Sequence, residues 1–115
     1  MTDINLENET AEVEPVHIGF LLIENFTLLA LASAMEPLRM ANQLAGKHLY
    51  SWSLIGASAE AVTASDGIQI MPDHTIKDNV DYDVVFVVSG INVQENYQSQ
   101  EVRWLRSIVG RVKIV

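Results

Sequence analysis

Three short segments hold the residues from which a binding site could be built. Glu24-Asn25-Phe26-Thr27 offers a carboxylate, an amide and an aromatic ring just before a run with helical spacing. The free N–H groups at the start of such a helix form a weakly positive end. Ser89-Gly90-Ile91-Asn92 follows a strongly apolar run, and Gly90 allows backbone N–H groups to turn toward a ligand. Ala57-Ser58 is the third segment. The candidate ligand-binding residues are therefore Glu24, Asn25, Phe26, Ser89, Gly90 and Ile91, with Glu24 as the counter-charge for a cation. Each has a structural alternative: Thr27 as a helix cap, Gly90 as a turn residue, Asn25 as an ordinary loop residue.

Other chemistries lack their residues. The chain contains no cysteine, so thiol nucleophiles, thiolate metal sites and disulfides are excluded within it. His17, His48 and His74 share no ligand spacing, and neither a metal nor a cofactor is expected. No Gly-rich phosphate loop and no G-x-S-x-G elbow is present. Asp83–Val88 resembles the central strand of a receiver domain, but Ser89 stands where a phosphoacceptor aspartate is needed. No catalytic residue is assigned.

The elements that must position these segments follow from apolar spacing. Val16–Ile23 is short, β-rich and nearly continuous in apolar character, the pattern of a strand covered on both faces. Thr27 precedes a helix with Leu28, Leu31, Met35 and Leu38 at spacings of three and four, stopped by Gly46. Leu29, Ala30 and Ala32 make its first two turns apolar all round, which predicts a deeply buried start, and Pro37 predicts a kink. A strand is expected over 50–57, and two short extended pieces near 61–64 and 68–71 are joined by the turn Ser65-Asp66-Gly67. Residues 72–81 read as polar with one helical turn. Asp83–Val88 is the strongest strand. A polar loop over 92–98 leads to a helix over 99–109 with Val102, Leu105, Ile108 and Val109 on one face. The final residues, Arg111–Val115, read as the beginning of another buried strand. This order implies an α/β fold, a three-layer sandwich with a mainly parallel, flavodoxin-like sheet. With only two substantial helices to cover it, the sheet reads as the front half of a larger fold, truncated at its C-terminus.

Charge and length set the remaining bounds. At 115 residues and a formal net charge of −8, the chain is one modest domain whose own surface is unsuited to gripping nucleic acid. Residues 1–15 hold Asp3, Glu7, Glu9, Glu12 and Glu14 and no base. They read as a disordered acidic arm, with the folded domain over 16–115. No stretch is apolar enough to span a membrane, and without a targeting pattern a cytoplasmic location is expected.

With these residues in place, the chain resembles the N-terminal domain of AraC-family transcriptional regulators that carry a class I glutamine-amidotransferase-like, PfpI-type fold. The resemblance runs over about residues 16–115, through FLLIENFTLLALASAMEPLRMANQLAGKHLYSWSL, VTASDGIQIMPD, DYDVVFVVSGINV and the helix containing VRWLRSI. The block A-S-A-M-E-P-L-R-M-A-N, residues 32–42, is its most specific part. The resemblance implies the N-terminal part of a sensory and dimerising module, cytoplasmic and homodimeric, that responds to a small metabolite. DNA would be bound by C-terminal helix-turn-helix motifs beyond these residues. The block most resembles members controlling catabolism of amino acids and of quaternary ammonium compounds such as betaine or carnitine. Related PfpI-type enzymes place an acid early in the first helix, where this chain reads Thr27-Leu28-Leu29-Ala30-Leu31-Ala32. Their glycine pair after the central strand is replaced by Ser89-Gly90-Ile91. These departures favour a binding module over the alternative, a PfpI-type hydrolase or isomerase fragment lacking its cysteine nucleophile.

Overall fold

The computed structural model describes residues 14–115. Most of the expected acidic arm lies outside the described residues. The element order is β1 (Val16–Leu22), α1 (Leu28–Ala45), β2 (Tyr50–Gly56), β3 (Val62–Thr63), β4 (Gln69–Ile70), β5 (His74–Thr75), β6 (Val84–Val88), α2 (Val93–Asn96), α3 (Ser99–Ile108) and β7 (Lys113–Ile114). Five strands form one sheet in the order β5-β2-β1-β6-β7, and every pairing in it is parallel. β3 and β4 form a separate antiparallel hairpin.

β1 is central because both its faces are apolar. Ile18, Phe20 and Leu22 enter one core with Leu31 of α1, while Leu21 and the following Ile23 enter a second with Ile108 of α3. Phe20, Leu21, Ile55 and Val85 are fully buried, each such side chain contributing about 1.5–3 kcal/mol. Gly19 has a packing reason. A Cβ there would lie 2.6 Å from Ile55 Cδ1 and 2.9 Å from Tyr82 Cδ1, so the bare backbone admits the Tyr82 ring against β1.

Polar side chains pin the strand starts. The His17 N–H donates to Asp83 Oδ2 at 2.8 Å, and its ring lies 3.1 Å from Asp81 O and 3.0 Å from Ser53 Oγ. Asn42 fastens the end of α1 to the start of β2. Its Oδ1 accepts from the N–H groups of Leu49 and Tyr50 at 2.8 and 2.9 Å, and its Nδ2 donates to Tyr50 O at 2.9 Å. Two features of the specific 32–42 block thereby gain physical roles: Asn42 as this anchor, and Glu36 with Arg39 as a surface pair at 2.7 Å.

Several expectations change in detail. The start of α1 is not deeply buried: Leu31 is its one buried residue and Leu29 is 73% exposed, because a single layer of sheet covers one side of the helix only. α1 continues through Pro37 and stops, as expected, at Gly46, whose φ of 69° is the left-handed cap glycine adopts freely. Thr27 occupies the cap position without a side-chain cap hydrogen bond. Residues 72–81 supply β5 as well as a turn, since the Asp73 N–H donates to Leu54 O and the Asp73 carboxylate accepts from the Leu54 N–H, each at 2.8 Å, which seats this segment on the edge of β2. The loop over 92–98 contains the short helix α2. α3 ends one residue earlier than expected, leaving Val109 63% exposed just past it, and within α3 Glu101 is buried together with Ile108. The terminal strand is present as β7, paired with β6.

Candidate functional site

Within the parallel sheet the chain winds outward in two directions. β1 leads through α1 to β2 on one side, and β6 leads through α3 to β7 on the other. The loops leaving β1 and β6 therefore diverge, and ligands of doubly wound sheets bind in the crevice at the carboxyl ends of such strands.

The segment after β1 is held from two sides. Asn25, at φ 66°, donates its N–H to Thr63 O at 2.7 Å, and Phe26 O accepts from the Ser65 N–H at 2.8 Å. On the other flank, the Thr27 N–H donates to Ser89 O at 3.2 Å, and Phe26 bridges to Gly90. Gly90 is the point of closest approach. A Cβ on it would sit 2.9 Å from both Thr27 N and Thr27 Oγ1 and would collide with Asn25 O. Asn25 Nδ2 also donates to Asn96 Oδ1 at 3.4 Å, and Asn96 Nδ2 donates to Asn92 O and Ile91 O at 2.8 and 3.2 Å. This network ties the β1–α1 loop, the β3–β4 hairpin and the loop after β6 into one rim.

A cleft of about 260 Å³ opens beside that rim, lined by Leu22 and Glu24, by Ala57, Ser58, Glu60, Ala61 and Val62, and by Asn96, Gln98 and Glu101. Three of these residues are acids and none is a base. Glu24 and Glu60 are exposed to solvent, whereas Glu101 is only 3% exposed. Burial pushes the Glu101 carboxyl above the ordinary glutamate value, opposed by the hydrogen bond that its Oε1 accepts from the Gln98 N–H at 2.6 Å. A carboxylate with little water around it interacts strongly with any cation that reaches it.

The six candidate residues thus divide. Glu24 lines the cleft, and Asn25 braces Asn96 on its wall. Phe26 is fully buried in the core on the α1 side, where its aromatic ring anchors the loop. The Ser89 carbonyl is occupied by Thr27. Gly90 borders a separate, shallow depression shared with Asn92 and Glu95, and Ile91 is 59% exposed beside it. Sequence reasoning missed Glu60, Asn96, Gln98 and Glu101. The one signal available was the pairing of Gln98 with Glu101 three residues later at a helix start, a capping-box spacing. A second cavity, about 230 Å³, lies between Asp78–Tyr82 and α3 and includes Arg111. It flanks the loop leading into β6, at the amino end of that strand, where doubly wound sheets do not place ligands. The acidic cleft is the better site for that reason.

No protein-family model matches the chain. It is 46% identical over 93 residues to the HTH-type transcriptional regulator GbdR of Pseudomonas aeruginosa, a match covering 81% of this chain and 25% of that protein. The chain is homologous to helix-turn-helix transcriptional regulators. It spans about a quarter of the length of that regulator. Its fold is that of the ThiJ/PfpI proteins. A ThiJ/PfpI family protein from Pseudomonas syringae superposes with a TM-score of 0.69 at 17% identity, covering 99% of this chain and 47% of that one. An AraC family transcriptional regulator from Pseudomonas putida superposes with a TM-score of 0.74 at 18% identity, covering 87% of this chain and 54% of that one. Among the described residues no helix is long and apolar enough to cross a membrane.

Proposed function

We propose that these residues form the ligand-sensing and dimerising part of an AraC-type transcriptional regulator, which works in the cytoplasm and contacts DNA through a helix-turn-helix region outside this segment. The effector is a small metabolite with a cationic group, of the amino acid or quaternary ammonium class. One observation carries the reading: the cleft at the carboxyl ends of β1 and β2 is lined by Glu24, Glu60 and Glu101 with no base. A cation there gains from three carboxylates, one of them largely shielded from solvent. An effector of net negative charge and no cationic group would be repelled by them. Sensing, not catalysis, is further supported by the first turn of α1, which contains no acid, and by homology to regulators.

The mechanism follows from the cleft walls. Glu24 and the β3–β4 hairpin belong to one half of the rim, and Asn96, Gln98 and Glu101 to the other. A cation held between them favours whichever arrangement brings the carboxylates nearest to it, and an effector shifts an equilibrium only by its difference in affinity for two states.

Calorimetric titration with betaine, carnitine, choline and free amino acids tests this. Heat and a raised melting temperature are expected with at least one cation-bearing compound, and Glu24→Gln should weaken that binding about tenfold or more. No stabilisation by any of them, or equal stabilisation by an uncharged isostere, would overturn the proposal.

A further inference from the structure

The make-up of the acidic cleft distinguishes between kinds of cation. A quaternary ammonium has no N–H to donate, and proteins recognise it by surrounding its methyl groups with aromatic faces. Among the described residues no aromatic side chain lines the cleft. Phe26, two residues after Glu24, is fully buried in the core on the α1 side. Tyr97 stands between two lining residues in the sequence but is not itself one of them. The apolar lining is aliphatic and small, Leu22 and Val62 with Ala57 and Ala61.

The cleft offers hydrogen-bond acceptors instead. An ionised carboxylate only accepts, through two oxygens, and Glu24, Glu60 and Glu101 all line this space. Glu24 is lightly engaged: the Thr63 N–H reaches its Oε1 at 3.4 Å. Glu101 is the decisive one, because it is only 3% exposed. Its Oε1 accepts from the Gln98 N–H at 2.6 Å, and no donor among the described residues reaches its Oε2. A buried acceptor left without a donor is costly, so the ligand that binds best is one that brings a donor to it. An ammonium N–H brings its nitrogen to about 2.7–2.9 Å from a carboxylate oxygen. A methyl group in its place holds the charge farther off and leaves Oε2 unpaired.

We infer that the cleft selects an ammonium ion that retains N–H donors, a primary or secondary amine, over a quaternary ammonium, and that Glu101 Oε2 is the acceptor that makes the distinction. The inference rests on the reading of the cleft as a cation site and narrows its ligand. A site built around a polar contact rejects the analogue that lacks it far more strongly than an apolar pocket rejects one extra methyl. At about 260 Å³ the cleft suits a compact amine and not a drug-sized ligand.

Calorimetric titration of the 115-residue chain at neutral pH with two methylation series provides the test. One runs from ethanolamine through its N-methyl and N,N-dimethyl forms to choline, the other from glycine through sarcosine and dimethylglycine to betaine. Within each series only the number of N–H donors on the cationic nitrogen changes. Affinity should fall along each series, by about tenfold or more from first member to last. Glu101→Gln keeps an oxygen for the Gln98 N–H and places an NH2 donor where Oε2 stood. It should flatten the series by weakening the primary amines most, whereas a residue that merely held α3 in place would weaken every member equally. Quaternary members that bind as tightly as primary ones, or a series equally steep in Glu101→Gln, would overturn this inference and leave the cation site standing. No binding by any member would overturn both.

Discussion

Gly90→Ala is the sharpest local perturbation that the structure offers. The new methyl group would stand 2.9 Å from Thr27 N and Thr27 Oγ1 and would overlap Asn25 O. Two of these three atoms are backbone, and that backbone is held by the hydrogen bonds from Asn25 to Thr63, from Ser65 to Phe26 and from Thr27 to Ser89. The loop cannot swing aside without disturbing Phe26, which is fully buried. Overpacking of this kind costs about 1–3 kcal/mol. For a domain of about 100 residues each kcal/mol lowers the melting temperature by about 4–8 °C, so the variant should melt several degrees to some 20 °C below wild type. Gly110→Ala is the matched control. Nothing lies within 4 Å of a Cβ there and its φ is not positive, so it should be neutral or stabilising by up to about 1 kcal/mol. Thermal and urea unfolding of the two variants, with coincident fluorescence and circular dichroism transitions, gives the comparison. If the two alanine variants proved equally stable, the account of the rim as a tight backbone crossing would be refuted.

Glu101→Gln keeps an oxygen that can accept from the Gln98 N–H while removing a buried charge. The folded-state pKa of Glu101 is raised above its ordinary value of 4.5 by burial, so the protonated residue suits the folded state. That stabilising contribution is complete below pH 4.5 and is lost as pH rises through the raised value. Urea titrations from pH 4 to 8 should therefore show a flatter stability profile for Glu101→Gln, with equal or greater stability at neutral pH; an unchanged profile would count against a buried, titrating Glu101. Tyr82 is 8% exposed with a buried hydroxyl that has no partner among the described residues. Burial, reinforced by Asp78 and Asp73, pushes its pKa up to about 12. Tyr82→Phe should stabilise the chain by up to about 1–2 kcal/mol and remove a phenolate absorbance transition near pH 12, and a loss of more than about 1 kcal/mol would reveal a hydrogen bond to that hydroxyl.

What was legible in the sequence is what is written within a few neighbouring residues. Val16–Leu22 and Val84–Val88 are parallel strands covered on both faces because each is apolar at successive positions, which one wet face would not tolerate. Gly46 ends α1 where a left-handed cap is needed. Glu24 was a candidate because it follows the first strand directly, and the topology does carry it to the rim. Phe26 was misplaced for the converse reason. A lone aromatic in a polar loop looks available to a ligand, and only the hairpin folding back through Ala64 and Ser65 buries it.

The amino-acid order alone therefore determined the class of fold, the parallel sheet and which loops reach its carboxyl edge, since these depend on local apolar periodicity and on chain connectivity. Tertiary structure decided which side of α1 stays exposed, why residue 90 must be glycine, and which acids share a cleft. Glu24, Glu60 and Glu101 are separated by dozens of residues, and the distances that join or divide such groups are set by sheet order and by the hairpin's return across the rim, which no local pattern encodes.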